Sequence, residues 1–412
     1  MSKSWGVVDL FSGAGGMSYG FRANPAFKML AAVDFEIGKP SYGPGALECN
    51  QTYSANMGIE PINRDIAELS PIELEREIKK SGAKKSNVDV LISCAPCTGF
   101  SRTNSKNHVK DDPRNSLVTR SALFVEHFKP RIFLMENARE LLRGNFTHHF
   151  SALQSKLESL GYRVHAQNYF LNQFGLPQKR ERALVVATHS RLPLYSLDDL
   201  WDGFALKPHA MTVRRAIGHL PKLSAGERHP SDSLHVCPRF SDSLNLNRIA
   251  AIPHDGGSWV DLLRVPGGRK LLTPAMARSV AKKDFGSHPD VYGRLSWDKP
   301  AVTVKRECGH IGNGRYGHPE QDRLLSVREM SLIQGFPSDY VFAGRSISNM
   351  YRHIGDAVPP LVSFQLSRLC EWILGGARPS IVDLILTKTH LLPSDIVPQA
   401  AAQPGLPFSA TG

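Results

Sequence analysis

Over residues 1–188, short apolar and β-branched runs alternate with helical patterns, and this alternation constrains the fold more than any other feature of the chain. Alternating strand and helix signals build βαβ units, which place helices on both faces of a mostly parallel sheet. Strands are predicted at Gly6–Phe11, Met29–Asp34, Val88–Ile92, Arg131–Met135, Tyr162–Asn168 and Ala183–Ala187. Helices are predicted over Ala14–Arg22, Glu48–Asn56, Asn115–Phe128 and Phe146–Leu160. The fold class is therefore α/β, a Rossmann-like sheet whose ligands collect beyond the carboxyl ends of the strands. After Thr188 the pattern weakens into a stretch rich in Pro, Gly, His and Arg, which suits a smaller, irregular, loop-presenting domain. Helical signals return at Arg323–Gln334 and Pro360–Leu374, the latter opened by Pro359-Pro360. The Ala/Pro/Gly-rich tail from Pro398 reads as mobile.

The formal net charge of +12 favours a polyanionic partner, with nucleic acid ahead of a membrane surface. No apolar run approaches the roughly 18 residues needed to span a bilayer, and no secretory leader pattern opens the chain. Six scattered cysteines fit a reducing, cytoplasmic setting better than a disulfide scaffold.

Two stretches concentrate chemistry at strand ends. Asp9-Leu10-Phe11-Ser12-Gly13-Ala14-Gly15-Gly16 occupies the first strand-to-helix turn, where glycines let backbone approach a ligand at the positive end of a helix. It is not a P-loop, since no Gly-Lys-Ser/Thr follows. Asp34 closes the second strand, where a carboxylate can bind a ribose diol. Phe35 beside it can stack on a purine, and Asp65 can accept from an adenine amino group. A nucleoside-containing cofactor is the joint reading. The second stretch is Ser93-Cys94-Ala95-Pro96-Cys97-Thr98-Gly99-Phe100-Ser101, which follows the strand Val88–Ile92. Its thiols could form a redox pair, bind a metal, supply a nucleophile or lie inert in the core. Redox exchange predicts a helix opening at the pair, yet a basic polar loop follows. Zinc lacks two further ligands at suitable spacing, so no metal is expected. A nucleophile needs partners, and Glu136 at an adjacent strand end with Arg180 and Arg182 supplies them. A thiol, a carboxyl group and guanidinium groups together suit addition to an electrophilic heteroaromatic ring.

Taken in order, the glycine turn, Pro96-Cys97-Thr98-Gly99-Phe100-Ser101, Glu136-Asn137-Ala138 and Gln178-Lys179-Arg180-Glu181-Arg182 form a series. It continues through Arg323–Glu329, Gln334-Gly335-Phe336-Pro337 and Gly355-Asp356-Ala357-Val358-Pro359-Pro360. The series closely resembles the bacterial cytosine-5 DNA methyltransferases over about residues 5 to 375. The resemblance implies a class I methyltransferase fold and transfer of a methyl group from S-adenosylmethionine to C5 of a cytosine flipped out of double-stranded DNA. Cys97 would attack C6, Glu136 would hold N3 and the exocyclic amine, and Arg182, aided by Gln178 and Arg180, would support the base. Phe11, Ser12, Gly13, Ala14, Gly15 and Gly16 would line the cofactor cleft, and Asp34 would bind the ribose. Phe35 and Ile66 would flank the adenine, Asp65 would hold its amino group, and Pro96, Leu117, Asp356 and Val358 would complete the pocket. The basic loop from Ser101 to about Arg114, with Ser101, Arg102 and Lys106, would close over the target.

The resemblance also divides the chain. Residues 1–188 would form the first part of the catalytic domain, 189–343 the target-recognition domain, 344–378 a returning catalytic segment and 379–412 a tail. Candidates for DNA contact in the recognition domain are Arg239, Arg248, Ser258, Arg264, Arg269, Lys270 and Arg315. The setting implied is restriction-modification, related defence or an orphan enzyme, acting as a monomer on nucleoid DNA, with cognate defence proteins as further partners. The Cys-Phe-Thr tripeptide of the tRNA-acting branch is absent. Two departures from the family pattern stand out. Cys94 precedes the nucleophile where small Gly/Pro-type residues are usual, and reads as inert. Asp356 replaces an Asn near the methionine end of the cofactor, where its charge would oppose the ligand's carboxylate. Asp356→Asn is accordingly expected to leave cofactor affinity equal or higher. The loop Ile37–Leu47 is longer than the shortest family members need and has no assigned chemistry.

Overall fold

Apolar residues fall alternately on two sides of one sheet, and each side gathers its own set of helices. The computed structural model of the chain describes residues 4–37, 46–80, 82–84, 87–100, 110–240, 242–282, 291–344 and 346–399. Its first half runs β1 (Trp5–Asp9), α1 (Gly16–Ala23), β2 (Phe27–Ala32), α2 (Cys49–Met57), α3 (Pro71–Lys80) and β3 (Val88–Ile92). It continues through α4 (Ser116–Phe128), β4 (Ile132–Ala138), α5 (Glu140–Arg143), α6 (His148–Ser159), β5 (Tyr162–Phe170) and β6 (Glu181–His189). Among the described residues the sheet has six strands in the order β2-β1-β3-β4-β6-β5. The pairings from β2 to β4 are parallel, whereas β6 runs antiparallel to both neighbours. Five strands therefore share a direction, and the reversed β6 brings its starting end to the rim where the others finish.

One face of the sheet packs Val7, Val90, Ile92, Ile132, Leu134, Leu184 and Val186 against α1 and the last long helix. The opposite face packs Val8, Leu10, Leu91, Phe133, Met135, Ala183 and Val185 against α3, α4 and α6. Burying such side chains stabilises by about 1.5–3 kcal/mol each, so the sheet is a rigid base for what projects from its rim.

Shorter elements follow: α7 (Leu197–Trp201), β7 (Phe204–Leu206), α8 (Val213–Ile217), β8 (Arg228–His229), β9 (Asp232–Val236), α9 (Ser243–Ala251) and α10 (Pro274–Ala281). Then come α11 (Val327–Ile333), α12 (Ile347–Asp356), α13 (Pro360–Gly375) and β10 (Ile396–Pro398), which pairs with β7. A third core joins Val213, Ile217, Leu234, Val236, Trp297, Tyr316, Met330, Ile333 and Tyr351 to Ala32, Tyr53 and Met57 of the first half. A small satellite core of Ile252, Trp259, Leu262 and Met276 lies under α9 and α10.

Several elements depart from the sequence expectation for identifiable reasons. The strand expected to end at Met135 extends to Ala138, because the reversed β6 supplies partners as far as Arg182. The helix expected from Arg323 begins only at Val327. Ser326 caps it reciprocally with Glu329, and Arg323 lies outside it, directed at the Glu329 carboxylate. Gly335, at φ 83°, ends that helix. Helices α3 and α12 were not anticipated. Most of the Ile37–Leu47 loop and the tail from residue 400 lie outside the described residues.

Candidate active site

The glycine turn is pinned from three sides. Gly13 N–H donates to Asp34 Oδ2 at 2.8 Å, Ser12 N–H donates to Val33 O at 3.0 Å, and the Tyr340 hydroxyl donates to Ala14 O. Gly13 and Gly15 hold φ of 50° and 91°, conformations that side-chain-bearing residues adopt reluctantly. A Cβ on Gly16 would lie 2.3 Å from Val358 O, so the start of α1 sits directly against Ala357 and Val358. A Cβ on Gly13 would meet nothing within 4 Å, which leaves open space at the turn's crest. Asp34, half-buried, also accepts from Glu36 N–H at 2.7 Å, with Phe35 half-buried beside it. The bridge between Val33 and Ile62 carries the chain to Asp65 and Ile66. Ile66 is buried, while Asp65 accepts from Ala67 N–H at 2.8 Å. Half-buried Phe11, Pro96 and Leu117 face neighbouring parts of the same end of the sheet. Open space at Gly13, beside the Asp34 carboxylate, fits a nucleoside-bearing cofactor.

Beneath the turn, Asp9 is fully buried and accepts from Ser18 Oγ at 2.7 Å, which in turn accepts from Tyr53. Burial pushes the Asp9 carboxyl up to about 7 against those hydrogen bonds.

Cys97 opens a single 3-10 turn, Cys97–Gly99, just past β3. Asn137 fixes the approach to it by donating to Ala95 O at 2.9 Å, so β4 holds the thiol loop through a buried side chain. Gly99 packs on the segment after the basic loop: a Cβ there would lie 2.1 Å from Asn115 Oδ1. The expected DNA contacts Ser101, Arg102 and Lys106 lie outside the described residues.

Glu136 is buried near the end of β4, and Arg182 is its diagonal cross-strand neighbour on β6. Arg182 Nε approaches Glu136 Oε1 at 3.0 Å, with side-chain exposures of 15% and 9%. The approach is not aligned as a hydrogen bond, and Glu136 Oε1 has no hydrogen-bond partner. A buried carboxylate oxygen with unused acceptor capacity is costly unless a ligand completes it.

The thiol is tuned by the same groups. Burial raises the Cys97 pKa, the Arg182 cation opposes that rise, and the Glu136 and Asp356 carboxylates reinforce it, with Arg180 opposing. Cys94 is driven well above the ordinary thiol range by burial, then by Asp9 and Glu136, against a backbone hydrogen bond to Glu136. This asymmetry separates the two cysteines.

Gln178 and Arg180 do different work from Arg182. Arg180 precedes β6 and donates to Val304 O at 3.0 Å and Ala357 O at 3.3 Å. Gln178 accepts from Val304 N–H at 2.8 Å and donates to Gln334 Oε1 at 2.8 Å, and Gln334 donates to Ala357 O at 2.8 Å. Arg182 meets Glu136, whereas Arg180 and Gln178 fasten the catalytic rim to the segments at 301–304 and 357.

The expected DNA contacts also divide. Arg239, Arg264, Arg269 and Lys270 are exposed. Arg248 is buried, donates to Leu271 O and Asn245, and lies over the Tyr292 ring, so it is scaffold rather than a base reader. Ser258 caps the 3-10 helix Trp259–Arg264, and Arg315 donates to Gly256 O and Gly257 O. Sequence reasoning missed Arg306, which pairs with Asp356. Only a search for a counter-charge to that unusual aspartate would have raised it.

The C-5 cytosine-specific DNA methylase family model matches residues 6–372. The Type II methylase M.HgiDII of Herpetosiphon aurantiacus is 31% identical over 380 residues, covering 90% of this chain and 96% of that one. The Type II methyltransferase M1.HphI of Haemophilus parahaemolyticus is 32% identical, covering 86% and 84%. Among solved structures, Dnmt2 methyltransferase of S. pombe superposes with a TM-score of 0.55 at 17% identity, covering 90% of this chain and 99% of that one. A methyltransferase from Entamoeba histolytica gives 0.52 at 15% identity, covering 91% and 99%. At these identities the structural likeness speaks for the class I methyltransferase fold alone. With the family match over nearly its whole length and relatives above 30% identity, the chain belongs to the C-5 cytosine-specific DNA methylases and is a DNA (cytosine-5)-methyltransferase.

Proposed function

We propose that this enzyme methylates C5 of a cytosine extruded from duplex DNA, through a covalent bond between Cys97 Sγ and C6 of the base. The observation that carries the reading is the convergence of Cys97, Glu136 and Arg182, with Glu136 Oε1 left without a hydrogen-bond partner. Cytosine presents an amino group that can donate to that oxygen, and a ring nitrogen, N3, that can share a proton with the carboxyl group. C5 of cytosine is a poor nucleophile until addition at C6 gives it enamine character. Glu136 would hold a proton at N3 as the thiolate adds, which withdraws electron density from C6. Sharing that proton also diminishes a negative charge that disfavours the thiolate. Arg182 would keep the carboxylate oriented and favour the thiolate. After methylation, loss of the C5 proton to solvent restores the C5–C6 double bond and expels the Cys97 thiolate.

S-adenosylmethionine, when bound, supplies an electrophilic methyl group. Asp34 would hold its ribose, Phe35 and Ile66 its adenine, Asp65 the adenine amino group, and the turn Phe11–Gly16 with Pro96, Leu117 and Val358 the remaining contacts. Residues 189–343 would serve as the target-recognition domain, with exposed Arg239, Arg264, Arg269 and Lys270 as contacts, between a catalytic part at 1–188 and a returning segment at 344–378. The Type II relatives support a setting in restriction-modification or related defence.

The test is adduct trapping. Mixed-sequence duplexes carrying 5-fluorocytosine, which has no C5 proton to lose, should form a covalent complex in the presence of S-adenosylmethionine, and Cys97→Ser should form none. Absence of an adduct across a library that covers all short sites would overturn the mechanism. The same trapping on RNA but not DNA would overturn the substrate.

A further inference from the structure

The segment before residue 310 runs along α12 as a seam. Glu307 pairs with Arg352 at 3.0 Å, and Cys308 Sγ donates to Tyr351 O at 3.5 Å. Gly355 permits the closest part of this contact: a Cβ there would lie 2.2 Å from Lys305 O and 2.6 Å from Arg306 N. The seam delivers the Arg306 guanidinium to the Asp356 carboxylate. The same guanidinium donates through its second terminal nitrogen to Ile37 O at 3.3 Å. Ile37 lies three residues after Asp34, so Arg306 ties the end of α12 to the segment after β2.

Asp356 acts electrostatically on Cys97 and with Arg180 and Asp34, and the two residues after it touch Arg180 and the start of α1. A cofactor with its nucleoside at Asp34 and Ile66 and its reactive sulfur toward Cys97 must direct its amino-acid portion to this remaining side. A carboxylate there is doubly unfavourable, because it sits at the negative end of α12 and would repel a ligand carboxylate. Crowding by the protein pushes Asp356 up to about 6 against the pull of Arg306 and Arg180. Its side chain is nevertheless 34% exposed, and that of Arg306 27%, so both remain accessible to a ligand.

We infer that Arg306 is the cofactor-positioning residue of this enzyme: it cancels the charge of Asp356 and offers its guanidinium to the α-carboxylate of the cofactor. The inference rests on the cofactor reading proposed above. A guanidinium carries five N–H donors in a fork matched to carboxylates, and Asp356 and Ile37 engage two of them. Asp356 then serves as an acceptor that aims Arg306.

Titration calorimetry on the full chain tests this with two ligands that share a nucleoside. S-adenosylhomocysteine carries the amino-acid portion, and methylthioadenosine lacks it. Arg306→Ala should weaken S-adenosylhomocysteine by at least about tenfold while leaving methylthioadenosine within about twofold. Arg306→Lys should recover part of the loss. Adding Asp356→Asn to Arg306→Ala should recover most of it, because the repulsion is removed along with its counter-charge. Equal weakening of both ligands would reduce Arg306 to a cleft scaffold and overturn the inference, as would unchanged binding of S-adenosylhomocysteine. Wild-type protein that binds neither nucleoside would overturn the cofactor reading itself, and the inference with it.

Discussion

Replacing Glu136 by Gln keeps the shape of a buried side chain while removing its charge, and the structure gives this change two opposite consequences. Glu136 is 7% exposed, faces Arg182 at 3.0 Å and retains an oxygen without a hydrogen-bond partner. In the amide variant the position can no longer hold a proton on N3, so C6 is less electrophilic when Cys97 adds. Loss of a positioned proton-transfer group costs about 10²–10⁴ in rate, or roughly 3–5 kcal/mol in barrier. DNA affinity should be nearly unchanged, because backbone contacts supply much of it. The free enzyme should respond in the other direction. Glu136 is among the groups that raise the Cys97 thiol, so Glu136→Gln should speed alkylation of Cys97 by iodoacetamide at neutral pH. Single-turnover methylation and peptide-resolved mass spectrometry of alkylated protein measure the two effects on one preparation. Methylation within about threefold of wild type would refute the proton-holding role, and slower alkylation would refute the electrostatic account of the thiol.

Two further outcomes concern the scaffold. Arg323 is fully buried and its guanidinium meets Glu329 through two bonds of 2.7 and 2.8 Å, so Glu329→Ala strands a buried cation. The expected loss is about 3–5 kcal/mol, read as a lower urea midpoint, and a loss below about 1 kcal/mol would show that the pair is poorly coupled to folding. Asp9 has its folded pKa raised to about 7, so its protonated form stabilises the fold below the ordinary carboxylate range, and that contribution is lost as pH rises to about 7. Asp9→Asn should flatten this part of the profile between pH 4 and 7, and urea titrations in which the variant keeps the wild-type slope would contradict the assignment.

What could be read from sequence depended on the range of the interaction involved. Val88–Ile92 is apolar and buried except at Asp89, and its boundaries match the observed strand. Glu136 and Arg182 were legible because strand ends project side chains to a common rim. Arg180 was not distinguished from Arg182, since alternation along a strand says nothing about a residue that precedes it and turns toward Val304 and Ala357. The start of α11 was misplaced because Arg323 and Glu329 look equally helical until Ser326 is seen to cap the helix between them. Arg248 resembles any basic surface residue until the ring of Tyr292 and the carbonyl of Leu271 enclose it. Arg306 and Asp356 are separated by a seam that only the folded chain closes.

The fastening beneath the active site has a consequence for how such enzymes can diversify. Arg180 and Gln334 grip Val304 and Ala357 by their main-chain oxygens, and Gln178 receives the Val304 amide. A carbonyl oxygen is common to all twenty residue types, so the mount specifies where the chain passes without specifying which side chains it carries. Positions 304 and 357, whose side chains are buried, should therefore accept compact apolar replacements in a mutational scan, whereas Gln178, Arg180 and Gln334 should tolerate few. Under such an arrangement, loops between the fixed points are free to drift and acquire new DNA sequences while the thiol and its carboxylate stay in register.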